Sequence, residues 1–257
     1  MPVPRVMKRA IQAPLGAVGL EMRRTNPAPG PQTKRRRDVH ATLASHVAAI
    51  IEREQVDCVI DVGAHEGETG RRLRDTGWTG PIVSFEPVAA SFERLAQAAE
   101  GDPAWIVHHL ALGRVAGTQR INLTTGTTFS SFLEPNATGT ELWPQWTETT
   151  ADEEVDVARL DEVLASAVGG FMADRVFLKL DTQGFDLEVL AGCAGILDRV
   201  VAIQSELSLQ SIYEGAPTYL EALAAFRDAG FAVTGFYPVT RDPSWRIVEY
   251  DAVMIRA

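Results

Sequence analysis

The nine residues Val59 to Gly67, VIDVGAHEG, join a continuous apolar run to a turn of small residues, and SFEP follows at Ser84 to Pro87. A strand that is apolar at successive positions is covered on both faces, which is the habit of the parallel sheet in an α/β protein. In an open sheet of that kind ligands bind outside the carboxyl ends of the strands, where glycines let backbone amides come close. The first segment therefore sets Asp61, Gly63, Ala64, His65 and Gly67 at the mouth of a crevice, and Glu86 with Pro87 closes a second strand beside it. A carboxylate at Glu86 can accept both hydroxyls of a ribose.

The spacing separates nucleosides. A dinucleotide site needs G-x-G-x-x-G, whereas this chain has D-x-G-x-H-x-G with His65 at the second glycine position. The phosphate-cradling pattern G-x-x-x-x-G-K-[S/T] does not occur in the chain. A glycine turn without a pyrophosphate cradle suits a ligand with ribose and adenine but no phosphates, and S-adenosylmethionine is the commonest of these.

Five segments in order, DVGAHEGETG, GWTGPIVSFEP, HHLALGRVAG, Thr127 to Leu133 and FLKLDTQGFDLEVLAG, resemble the FkbM-type family of S-adenosylmethionine-dependent O-methyltransferases. The resemblance runs from about Val56 to the C-terminus, and the family's Asn or His is met by His65. It implies a Rossmann-like class I methyltransferase fold: a mostly parallel seven-stranded sheet, helices on both faces and an antiparallel edge hairpin. It also implies transfer of a methyl group to a hydroxyl oxygen. The segment Glu134 to Glu154 is longer and richer in tryptophan than the family pattern, so the resemblance leaves the acceptor open.

Charge divides the chain in two. Residues 1 to 37 carry nine Lys or Arg against one acid, Glu21, and the remaining residues carry 15 basic and 33 acidic side chains. The organisation expected is a basic arm over 1–37 and a methyltransferase domain over 38–257. An acidic body repels phosphate backbones, so nucleic acid is disfavoured as a partner. Packing of the arm against its own domain or a second copy of the chain, as a homodimer, is preferred to attachment at a membrane surface. Two cysteines, Cys58 in the first strand and Cys193, read as buried free thiols. No apolar run reaches bilayer length and no secretory h-region stands at the N-terminus, so a cytoplasmic protein is expected.

Periodicity supplies the elements. Helices are expected over 38–54 with Asp38 as N-cap, and over 69–75, 88–100, 160–167, 186–192 and 219–229. Strands are expected over 58–62, 82–85, 106–112, 121–124, 176–180 and 200–207, with a final hairpin of 231–237 and 247–255. Thr69 opens the helix whose first-turn amides face the amino-acid end of the cofactor. Ala111, at the end of the third strand, leaves room beside the adenine.

Methyl transfer to an alcohol needs the hydroxyl held in line and its proton accepted. Lys179 and Asp181 lie two apart on one strand and share a face. Lys179 is the only lysine outside residues 1–37, in a chain with 21 arginines. It reads either as a catalytic or orienting group or as a buried lysine paired with a carboxylate such as Glu206 or Glu188. Asp181 is the preferred base, and it also borders the cofactor; Glu206, at the end of the next strand, is the second choice. Those two carboxylates could also hold a divalent ion, but a metal-free reaction is preferred. His65 reads as a brace for the cofactor turn, and neither His108 nor His109 has an assigned role. Ser130, Ser131, Phe132, Gln183 and Tyr213 are placed around the acceptor, with Trp143 and Trp146 as stacking platforms for a sugar ring or a flat chain. The acceptor expected is a small molecule or oligosaccharide: a sugar, glycan or glycosylated metabolite first, a polyketide second. A non-catalytic partner subunit of the same fold is a third possibility, and a nicotinamide-dependent oxidoreductase is disfavoured by the missing glycines.

Overall fold

The computed structural model describes residues 42–257. In chain order the elements are α1 (Leu43–Arg53), β1 (Cys58–Val62), α2 (Glu68–Asp75), β2 (Ile82–Phe85), α3 (Ala89–Ala99), β3 (Trp105–His108), β4 (Ala111–Leu112), β5 (Gly117–Thr124), α4 (Ala137–Leu142), β6 (Thr149–Ala158), α5 (Leu160–Ala167), β7 (Val176–Leu180), α6 (Asp186–Ala191), β8 (Val200–Ser208), α7 (Tyr219–Asp228), β9 (Phe231–Arg241) and β10 (Ile247–Arg256). The seven-stranded sheet has the order β3-β2-β1-β7-β8-β10-β9, and β10 runs antiparallel to both of its neighbours. Chain order reverses between β1 and β7, which opens the crevice above their carboxyl ends.

Burial explains the pattern. All residues of β1, β2 and β7 are buried, because helices cover both faces of these central strands. Ile60, Val62, Leu178 and Leu180 pack on one side with α5 and α7 residues such as Leu160 and Phe226. Val59, Phe177, Ala202 and Val253 pack on the other with Val47 and Ile50 of α1 and Leu73 of α2. Asp61 and Lys179 belong to this second face and are register partners across β1 and β7. They form a polar interruption at the crevice end of an apolar layer.

Several expectations change. The first helix is capped by Thr42, which accepts the Ser45 N–H at 3.1 Å in a reciprocal box; Asp38 and the basic arm lie outside the described residues. The third strand does not continue to Leu112. After His108 the chain bends across the end of β2, where the Glu86 N–H donates to the His108 carbonyl and the Leu110 N–H donates to that of Glu86. Ala111 and Leu112 then join a second, three-stranded sheet of order β4-β6-β5. The short strand expected at 121–124 is the end of a longer β5, paired antiparallel with β6. Only Val155 and Val157 of β6 are buried, so its threonines and acids conceal the strand in sequence. Cys58 and Cys193 are buried and free, and burial pushes both thiols up to about 12. Among the described residues no helix is long and apolar enough to cross a membrane.

Candidate active site

A cavity of about 420 Å³ lies over the carboxyl ends of β1, β2, β7 and β8 and the amino-terminal half of the antiparallel β10, a size suited to a small ligand. Its floor is the turn after β1. Gly63 adopts φ +72° and its amide, like that of Ala64, donates to the Phe85 carbonyl at 3.0 Å. A Cβ on Gly63 would lie 2.0 Å from the Asp181 carbonyl oxygen, so only glycine lets the turn press against the end of β7. His65 has φ +48° and its Nε2 lies 2.9 Å from Thr127 Oγ1, tying the turn to the loop above.

Glu86 is buried at the end of β2, and each of its carboxylate oxygens accepts one backbone N–H, from His65 at 2.8 Å and from Val88 at 3.0 Å. Both oxygens keep further acceptor capacity toward the cavity. Burial pushes this carboxyl up to about 7, against the pull of the two amides. Beside it the wall is apolar, with Val88, Leu110, Ala111, Leu112 and Ile121.

The opposite end is polar. Lys179 Nζ lies 3.1 Å from Asp181 Oδ2 and 3.4 Å from Asp61 Oδ1. Burial alone would lower the Lys179 pKa, but the charges of Asp181 and Asp61 outweigh it and hold the ammonium well above its usual range. Burial pushes the Asp61 carboxyl up, and Lys179 draws it part of the way back. Gln183 has φ +52° and its amide nitrogen donates to Asp181 Oδ1 and Glu206 Oε2, each at 3.0 Å. Its carbonyl lies 2.8 Å from the Tyr213 hydroxyl. Burial, then the neighbouring charges of Asp181, Glu249 and Asp251, push Glu206 well above the carboxylate range. Burial likewise raises Glu249 to about 7.

The cavity wall brings together Gly63, Ala64, His65, Thr69, Glu86, Pro87 and Ala111 with Lys179, Asp181, Gln183, Glu206, Ser130, Ser131 and Phe132. Five other residues from the sequence reading stand off it. Asp61 is fully buried in its pairing with Lys179. Gly67, at φ +89°, lets α2 pack on Leu95, Ala98 and Trp105. Tyr213 lies behind Gln183 and is buried. Trp143 packs on Phe129 with ring centroids 5.5 Å apart, and the Trp146 backbone pairs with Gly126 and Trp143. Trp143 thus packs within its own loop region, while the Trp146 side chain is exposed. Lys179 pairs with Asp61 and Asp181; Glu188 is engaged by Arg114 instead.

Sequence reasoning missed Arg72, Thr240, Glu249 and Asp251 on the wall. The two β10 acids were visible as a signal: charges at alternate positions of the apolar run IVEYDAVMI share a face and need a polar destination. Among the described residues no group of three or more His, Cys, Asp or Glu is disposed to hold a metal ion.

An adenine beside the apolar wall, a ribose at Glu86 and a polar tail past the glycine turn fit this cavity, so the residues present suit S-adenosyl-L-methionine. No curated protein matches the chain. Similar solved structures include Aeropyrum pernix fibrillarin in complex with natively bound S-adenosyl-L-methionine, at 10% identity over 81% of this chain and 74% of that one, with a TM-score of 0.44. A putative S-adenosylmethionine-dependent methyltransferase from Listeria monocytogenes has 8% identity, 82% and 99% coverage, and a TM-score of 0.44. An rRNA methylase from Streptococcus thermophilus has 10% identity, 84% and 97% coverage, and a TM-score of 0.45. At these scores they carry no weight beside the sheet order and the family model. Residues 61–233 match the model of the methyltransferase FkbM domain. That match runs from the buried aspartate of the first strand into the edge hairpin, and by it the chain belongs to the FkbM methyltransferase family, whose cofactor is S-adenosyl-L-methionine.

Proposed function

We propose that this methyltransferase acts on a hydroxyl oxygen of a sugar, a glycan or a glycosylated metabolite, with Asp181 as the base and with residues 38–257 as its catalytic domain. The cofactor supplies a methyl group on a positively charged sulfur. Glu86 would hold the ribose, the backbone of Gly63 to His65 would line the path of the tail, and Ala111 would border the adenine.

The observation that carries the reading is the position of Asp181. It is part-exposed at the cavity wall and has Lys179 and Gln183 donating to one oxygen each. Those donors fix the rotamer and leave acceptor capacity for an incoming hydroxyl. Glu206, pushed well above the carboxylate range by burial and three acidic neighbours, is the poorer base and the better donor. Lys179, held charged by two carboxylates, orients Asp181 and does not itself take a proton. Ser131 supports the acceptor loop from below, donating to the Gln183 carbonyl at 2.8 Å.

The test is an acceptor screen with methyl-labelled cofactor over neutral sugars, glycosides and aglycones, read by mass spectrometry. The proposal expects label on a hydroxyl oxygen of a glycosidic acceptor. Label on an aglycone alone would shift the acceptor to the polyketide class, and label on nitrogen or carbon would overturn oxygen as the methylated atom.

A further inference from the structure

α2 carries three arginines, and their surroundings differ. Arg71 donates to the Glu66 carbonyl at 2.8 Å and pairs with Glu68. Arg74 is bound to Asp102 and to the carbonyls of Trp78, Gly80 and Ala104. The Arg72 side chain makes no hydrogen bond or ion pair among the described residues. It is exposed and borders the cavity together with Glu68 and Thr69, as its spacing of four and three residues from them on one helix face requires.

The lysines and arginines on the cavity wall are Lys179 and Arg72. The Lys179 ammonium is already shared by Asp61 and Asp181. A carboxylate on a ligand arm passing the glycine turn therefore meets one uncommitted guanidinium. An anionic acceptor would be an alternative source of that carboxylate. Such an acceptor would have to present its hydroxyl to Asp181, the carboxylate proposed as base on the same wall, which repels a second negative charge. Arg72 also favours the ionised form of Asp251 from beyond ion-pair distance.

We propose that Arg72 grips the α-carboxylate of the cofactor's amino-acid tail, and that it thereby sets the preference of the site for the whole cofactor over the bare nucleoside. This rests on the cofactor occupying the cavity as described above. A guanidinium suits the role because it is always charged and presents a planar fork to a carboxylate.

The test compares two probes by calorimetric titration of the full chain: S-adenosylhomocysteine, and 5′-methylthioadenosine, which has the same thioether nucleoside without the amino-acid group. Arg72→Gln should weaken S-adenosylhomocysteine about tenfold, the loss expected for one hydrogen-bonded charge pair near solvent. It should leave methylthioadenosine affinity unchanged, and Arg72→Lys should recover part of the loss. Unaltered S-adenosylhomocysteine affinity in Arg72→Gln, or equal weakening of both probes, would overturn the assignment of Arg72 alone. A wild-type chain that binds neither probe would overturn the cofactor placement and this inference with it.

Discussion

Lys179→Met is expected to lower the unfolding free energy by about 3–5 kcal/mol, the usual cost of removing one partner from a buried ion pair. The reason is Asp61, which is fully buried and, among the described residues, has Lys179 Nζ at 3.4 Å as its only cationic neighbour in ion-pair range. Its remaining contact is the Ser84 hydroxyl at 3.5 Å. Without the ammonium, Asp61 must either stay charged in an apolar layer or take up a proton. Burial already holds the Asp61 pKa above its unfolded value and Lys179 draws it part of the way back, so losing the ammonium raises the folded-state pKa further. The added penalty is absent at acid pH, where the folded carboxyl is protonated in both chains, and grows as pH rises from the wild-type folded pKa toward that of the variant. The variant should consequently lose less stability at acid pH than at neutral pH. Asp61→Asn combined with Lys179→Met should recover much of the loss, because both charges are then gone. Urea denaturation of the wild type and the two variants checks this; a double variant no more stable than the single one would show that the pair is not the cause.

The second large effect falls on turnover. Asp181→Asn keeps the shape of the side chain and removes the proton acceptor, and the rate should fall by about 10²–10⁴, the range for loss of a positioned base. S-adenosylhomocysteine affinity should change little, because the ribose site proposed at Glu86 and the glycine turn are untouched. Lys179 retains Asp61, so the fold should persist. Glu206→Gln is the control: burial already disfavours the charged form of Glu206, so replacing it by a neutral amide should cost little turnover. Turnover that survives Asp181→Asn but not Glu206→Gln would exchange the roles of the two.

The strands that were legible in sequence share one property, burial on both faces: β1, β2 and β7 have the expected ends because their apolar runs stop where the sheet stops. α5 was legible from a single buried stripe, Leu160, Leu164 and Ala167. The third strand was misread because the break at His108 is made by the backbone of Glu86, a tertiary contact that leaves HHLAL looking continuous. β6 was hidden because ten residues rich in threonine and acid bury only two valines. For the site, Glu86, Lys179 and Asp181 were identifiable from their places at strand ends. The partner of Lys179 was not, because sequence neighbours suggest β8, whereas the sheet sets β1 beside β7 and brings Asp61 into register with Lys179. Trp143 and Trp146 could be read from sequence either as a ligand platform or as pins for their own loop, and the packing of Trp143 on Phe129 is a contact within that loop region.

The account depends on Glu86 receiving the ribose of S-adenosyl-L-methionine, and calorimetric titration with S-adenosylhomocysteine across pH tests this most directly. Burial has raised the Glu86 carboxyl to about 7, so its protonated fraction grows as pH falls through that value, and the protonated form is the poorer acceptor for two hydroxyls. Affinity should therefore rise about tenfold per pH unit toward 7 and level off above it, as binding linked to one proton requires. Glu86→Gln should bind weakly and lose that pH dependence, while Glu249, which titrates in the same range, remains as the internal control. A wild-type chain that does not bind S-adenosylhomocysteine, or a Glu86→Gln variant that binds it as tightly at every pH, would contradict the account.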